Sequence, residues 1–137
     1  MDRNTLLKKA REAMAMAVAP SSKFQVGAAL LCEDGTVFTG CNIESPTYLG
    51  ICAERVALFK ALSEGQRSFK TIAVACGTNG ACSPCGACRQ ILWEFAPELE
   101  VALDDGQGGF TLRAIAEYFP EPFDRNKLDP ARKNRLV

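Results

Sequence analysis

The chain has 137 residues, 47% of them hydrophobic and 23% charged, with 16 basic residues against 16 acidic ones. That length suits one domain, and a chain of this size buries roughly two thirds of its unfolded surface, which excludes a disordered protein. Zero net charge speaks against nucleic-acid binding, whose affinity comes from neutralising phosphates, and no apolar run approaches the roughly 20 residues of a membrane span.

The opening MDRNTLLKKAREAM interrupts its apolar positions with charge every few residues and does not read as a secretory signal. Leu6, Leu7, Ala10, Met14 and Ala17 recur at helical spacing, with Asn4 or Thr5 as the expected cap and residues 19–22 as the stop. Two β-rich runs, 24–32 and 36–44, flank Asp34-Gly35 and predict a hairpin. After a loop at 45–50, residues 52–65 predict a helix packed through Val56, Leu58, Phe59 and Leu62, with Gly65 at its end.

Residues 71–77 predict a buried strand, 85–95 a helix and 99–105 another strand. A Gly-rich turn leads to a short strand and a short helix before Phe123. Strands alternating with helices predict a single mixed β-sheet in an α/β domain, helices packed on both faces. The domain is expected to span 1–137, with about 124–137 as a charged tail. That tail, DRNKLDPARKNRLV, holds five Lys or Arg against two Asp and reads as solvated.

Seven cysteines and no histidine frame the chemistry. The number is odd and most lie inside apolar runs, which suits a reduced, cytoplasmic compartment better than a disulfide framework. Cys32, Cys41 and Cys76 read as small buried apolar residues. SPCGACRQ (83–90) could be a redox pair, part of a structural knot, or half of a metal site.

Cys52 opens one predicted helix and Cys85 with Cys88 opens another, so backbone N–H groups dispose all three toward thiolates. Without histidine, a zinc ion could take only sulfur, carboxylate or water ligands. Four cysteines, Cys82 being the fourth, would make a closed structural site; three would leave a position open for water. A ferredoxin cluster is excluded, because Arg89-Gln90-Ile91-Leu92 follows where a fourth cysteine and a proline are needed. C-A-E at 52–54 followed by P-C-x-x-C at 84–88 matches the three-cysteine form of the zinc deaminase signature.

With CNIE (41–44), CAER (52–55), PCGACRQ (84–90) and FQVGAALL (24–31), the chain resembles the small cytidine deaminases over about residues 5–123. The resemblance implies the cytidine deaminase-like three-layer α/β/α fold and one Zn2+ per chain on Cys52, Cys85 and Cys88. It implies attack of a zinc-activated water on C4 of the pyrimidine, with Glu54 as proton shuttle and Arg55 offsetting the thiolate charge. It assigns the base to the backbones of Ala53 and Ser83 with Phe24 and Phe123, and the ribose 3′-hydroxyl to Asn42 and Glu44.

Tyr48 matches a residue that reaches a neighbouring subunit, implying a homotetramer. A free nucleoside, cytidine or deoxycytidine, is the implied substrate, in pyrimidine salvage. Blasticidin S deamination and a non-catalytic four-cysteine zinc module are the alternatives.

The chain also departs from the family. Pro46 stands where the family uses an alanine N–H to hold the sugar 5′-hydroxyl, and proline has none. Val18 and Ser21 stand where the family favours tyrosines near Phe24, a loss that either repacks locally or widens the pocket for modified or N4-substituted cytidines.

Overall fold

The computed structural model describes residues 1–78 and 80–128. Five strands form one mixed sheet in the order β2-β1-β3-β4-β5. The hairpin of β1 (Val26–Cys32) and β2 (Val37–Cys41) is antiparallel and turns through Gly35, whose φ of 91° favours glycine. β1 also pairs antiparallel with β3 (Phe69–Cys76), which runs parallel to β4 (Glu100–Asp104). β5 (Phe110–Ala114) closes the far edge antiparallel to β4.

The sheet separates two apolar layers. Ala29 and Leu31 of β1 face Leu6, Leu7 and Ala10 of α1 (Arg3–Met14), while Ala28, Leu30 and Cys32 face the opposite side. There they meet α2 (Ala53–Ser63) and α3 (Gly86–Phe95), giving the expected three layers. A short α4 (Ile115–Tyr118) follows β5.

Some local expectations shift. The cap of α1 is Asp2, whose carboxylate accepts the Thr5 N–H at 2.8 Å, and the helix ends at Met14, leaving Ala17 outside. In α2 the buried stripe is Ala53, Ala57, Leu58 and Ala61, and Phe59 is turned outward. The small residues are required by a close crossing: a Cβ on Gly40 of β2 would lie 2.5 Å from the Ala53 carbonyl oxygen and 2.7 Å from the Ala57 nitrogen. Gly40→Ala is therefore expected to cost about 1–3 kcal/mol of stability and to displace the start of α2. Paired urea melts and activity assays check this; an unchanged midpoint would refute the close fit.

Arg11 of α1 grips Asp104 of β4 through Nε at 2.7 Å and Nη2 at 3.1 Å. The Arg11 hydrogen bonds hold the Asp104 carboxyl below its ordinary value near 3.8. The pair's contribution is complete above that value and is lost as pH falls through the lower folded one. Asp104→Asn should lose about 1 kcal/mol at pH 7, Arg11 being partly solvent-screened, and should flatten the acid limb of the stability curve. Thermal melts from neutral pH to pH 2 would show it.

The charged tail is docked where it begins. Residues Arg125–Lys127 form a 3-10 turn, and the Arg125 guanidinium lies 5.8 Å from the Phe95 ring centroid. The remainder, 129–137, lies outside the described residues.

Candidate metal centre

Two helix starts meet here, and each is capped by a cysteine. Cys52 is the N-cap of α2 and Cys85 that of α3, both with extended backbone. Neither side chain makes the usual capping hydrogen bond, so both sulfurs stay available as ligands. Cys88 lies one turn into α3 and is fully buried. The three sulfurs lie within 4.8 Å of one another, with 3.7 Å between those of Cys52 and Cys85.

Short backbone links set this convergence. Ile43 bridges both Val18 and Ile51, with Ile43 and Ile51 exchanging N–H···O bonds of 3.0 and 2.9 Å. They fix the strand end beside Cys52. On the other side Arg89 donates from Nε to the Pro84 carbonyl at 2.7 Å and from Nη1 to the Tyr118 carbonyl at 2.8 Å. The loop before Cys85 is thereby tied to the C-terminal segment. Gln90 adds a 2.9 Å bond to the Phe123 carbonyl. The sequence reading missed Arg89 and Gln90 as braces, although both stand in the quoted PCGACRQ run.

The charge state of the cluster asks for a cation. A hydrogen bond from Cys88 draws the Cys52 thiol down to about 5, against the effect of burial, with Arg55 and Cys85 adding to the fall. The reciprocal bond to Cys52, then burial and Glu54, push Cys88 far up. Cys88 thus keeps its proton beside the Cys52 thiolate. A dication replaces that proton and satisfies all three sulfurs, so the residues fit zinc. Arg55 supports the arrangement by donating from Nη2 to the Cys52 sulfur at 3.3 Å. Its Nε is buried without a hydrogen-bond partner among the described residues.

Glu54 sits in the first turn of α2, two residues after Cys52, and is only 5% exposed. Burial pushes its carboxyl above the ordinary value, and the Cys52 charge adds to the push. Cys82 does not join the sulfur cluster. It pairs instead with Cys76 in a disulfide, so Cys76 is neither a free thiol nor a buried apolar filler. That pairing removes the fourth ligand of a closed zinc site. Cys32 is buried and Cys41 half-buried, both as free thiols.

An open groove of about 390 Å³ adjoins the cluster, lined among others by Ser21, Asn42, Glu44, Tyr48, Cys52 and Arg55. Glu44 accepts the Ser21 and Ser22 N–H groups at 2.9 and 3.1 Å, and these serines hold its carboxyl low. Asn42 accepts the Val26 N–H and donates to the Phe24 carbonyl, both at 2.8 Å. Half of its amide's hydrogen-bonding capacity goes to shaping the Phe24 loop, with one N–H and one carbonyl lone pair left for a ligand.

Phe24, Ala53, Ser83 and Phe123 are not among the groove's lining residues. Phe24 is half-buried, Ala53 buried, Ser83 exposed and Phe123 56% exposed. Pro46 and Tyr48 lie on the exposed 45–50 loop, Tyr48 with a φ of 63°.

Residues 1–102 match the family model described as the cytidine and deoxycytidylate deaminase zinc-binding region. A cytidine deaminase of Sporosarcina psychrophila is 46% identical over 133 residues, 96% of this chain and 98% of that one. The crystal structure of a cytidine deaminase from Burkholderia pseudomallei superposes with a TM-score of 0.86 at 46% identity, covering 90% of this chain and 100% of that one. A blasticidin-S deaminase of Bacillus cereus is more distant, 31% identical over 77% of this chain and 81% of that one.

Proposed function

The chain belongs to the cytidine deaminase family, and on that premise we propose that it hydrolyses free cytidine, and deoxycytidine, to the uridine product and ammonia. The observation that carries the reading is the three-sulfur set of Cys52, Cys85 and Cys88 with buried Glu54 beside it. A zinc ion held by these thiolates supplies the acidity that makes water a nucleophile near neutral pH.

The chain's own groups do the rest. Glu54, with its carboxyl raised by burial, takes a proton from the attacking water, passes it to ring N3 and later delivers one to the departing amine. Arg55 and the two helix N-termini offset the charge of the thiolates. The backbones of Ala53 and Ser83 hold the base, Phe24 and Phe123 flank it, and Asn42 with Glu44 takes the 3′-hydroxyl.

Three wider readings go with it. Tyr48 and Leu49 are 96% and 84% exposed beside the groove, which supports their packing on a second copy within a homotetramer. Cys32 and Cys41 are free thiols, which supports a reduced, cytoplasmic setting, and the proposed nucleoside substrate supports a role in pyrimidine salvage. Ser21 lines the groove where the family carries a ring, which supports tolerance of N4-substituted cytidines.

The test is release of the C4 amine, as ammonia or, from an N4-alkyl cytidine, as the alkylamine, across a panel of cytidine, deoxycytidine, the N4-alkyl cytidine, blasticidin S and a cytosine-containing single-stranded oligonucleotide. Release from the nucleosides alone is expected. Turnover of blasticidin S without cytidine would move the function to that antibiotic class.

A further inference from the structure

We propose that Cys76 and Cys82 form a reversible thiol–disulfide site, taking low-molecular-weight disulfides as its co-reactant, that sets how firmly the loop before Cys85 is held. Cys76 ends β3, in register with Val26 of β1, and Cys82 is followed directly by Ser83 and Pro84. The two sulfurs are bonded across a separation of six residues. Among the described residues, the Gly77 N–H on the Gln25 carbonyl at 2.9 Å and the Gly80 N–H on the Asp105 carbonyl at 2.8 Å also hold the loop, and Arg89 holds it further on, at the Pro84 carbonyl.

The surroundings accommodate both redox states. The Thr78 hydroxyl lies 3.6 Å from each sulfur, and the Gly80 carbonyl lies 3.8 Å from Cys76 and 3.9 Å from Cys82. A pair of thiols here therefore has an acceptor and a hydroxyl ready, and reduction leaves no buried S–H stranded. A groove of about 570 Å³, lined by Cys76, Gly77, Thr78 and Asp104 among others, brings solvent to the Cys76 side of the pair. That volume lies within the range of small-molecule sites.

The exchange balances. One cysteine thiolate attacks a sulfur of the small disulfide, RSSR, forming a mixed disulfide and expelling RS⁻. The second thiolate then attacks the cysteine sulfur of that mixed disulfide and expels the other RS⁻. Two protein thiols lose two protons and two electrons, and RSSR becomes two thiols. Cys52, Cys85 and Cys88 are shielded from this exchange when zinc occupies them.

The cross-link shortens the free span between β3 and Ser83, so the oxidised chain enters binding with this segment already ordered. The kinetic part rests on the deaminase reading; the exchange itself does not. Zinc-loaded protein is equilibrated with reduced and oxidised glutathione at graded ratios, alkylated, digested and mapped by mass spectrometry.

The expected result is a Cys76–Cys82 cross-link that forms and dissolves reversibly at constant zinc content. KM for cytidine should be about two- to tenfold higher in the reduced form with kcat unchanged, the pattern of a lost uniform binding contribution. Cys82→Ser should show the reduced-form KM at every ratio. Amide exchange at residues 80–84 should be slower in the oxidised form, a reading independent of turnover that separates failure of this site from failure of the deaminase assignment. Free Cys76 and Cys82 at every ratio, or a cross-link that leaves both exchange and KM unmoved, would overturn the proposal.

Discussion

Glu54→Gln is expected to lower kcat for cytidine by about 10²–10⁴-fold, the span that a positioned proton carrier contributes, while zinc stays at about one per chain. Glutamine keeps the size and much of the hydrogen bonding of glutamate but cannot accept and return a proton. Because Glu54 is buried in the first turn of α2, the neutral amide should also relieve an unfavourable buried carboxylate. The variant should therefore melt no lower than wild type. Loss of activity with retained zinc and an unchanged or raised Tm would place the defect in proton transfer. A variant within tenfold of wild type would remove Glu54 from the chemistry.

Withdrawing the metal should have the largest effect on stability. A ligand held at about 1,000 times its Kd adds about 4 kcal/mol to the folded state, which for a domain of this size is on the order of 10–15 °C in Tm. Strong chelation should lower the Tm of wild type by that amount and abolish turnover. Cys88→Ser should start near the chelated value and respond little to further chelation, since Cys88 is both ligand and core residue. Calorimetry with and without chelator measures both. A Tm indifferent to chelation would show that the helix starts hold together without a metal.

Much of this site was legible because its parts are local. Cys52 with Glu54, and Cys85 with Cys88, each lie within one helical turn, and a resemblance to a known signature joined the two. The hairpin was equally plain, because Asp34-Gly35 supplies the turn that both strands need. What escaped was tertiary. Phe59 looked like a core residue, yet the crossing at Gly40 selects the alanine face of α2 instead.

Cys76 lay in an apolar run and read as filler. Its partner Cys82 stood in a loop, and nothing in either stretch marks the close return that joins them. Asn42 illustrates a third limit. The family resemblance implied a sugar contact for it; its two bonds to the backbone around Phe24 are a further role, visible only once strand and loop are side by side.

The central claim is that the three-cysteine set makes a metal site that performs hydrolysis. It is tested most directly by titrating zinc into metal-free protein and following bound zinc and ammonia release from cytidine on the same samples. Activity should rise in proportion to bound metal and level off at about one zinc per chain. Full zinc binding at Cys52, Cys85 and Cys88 with no ammonia from cytidine would contradict it.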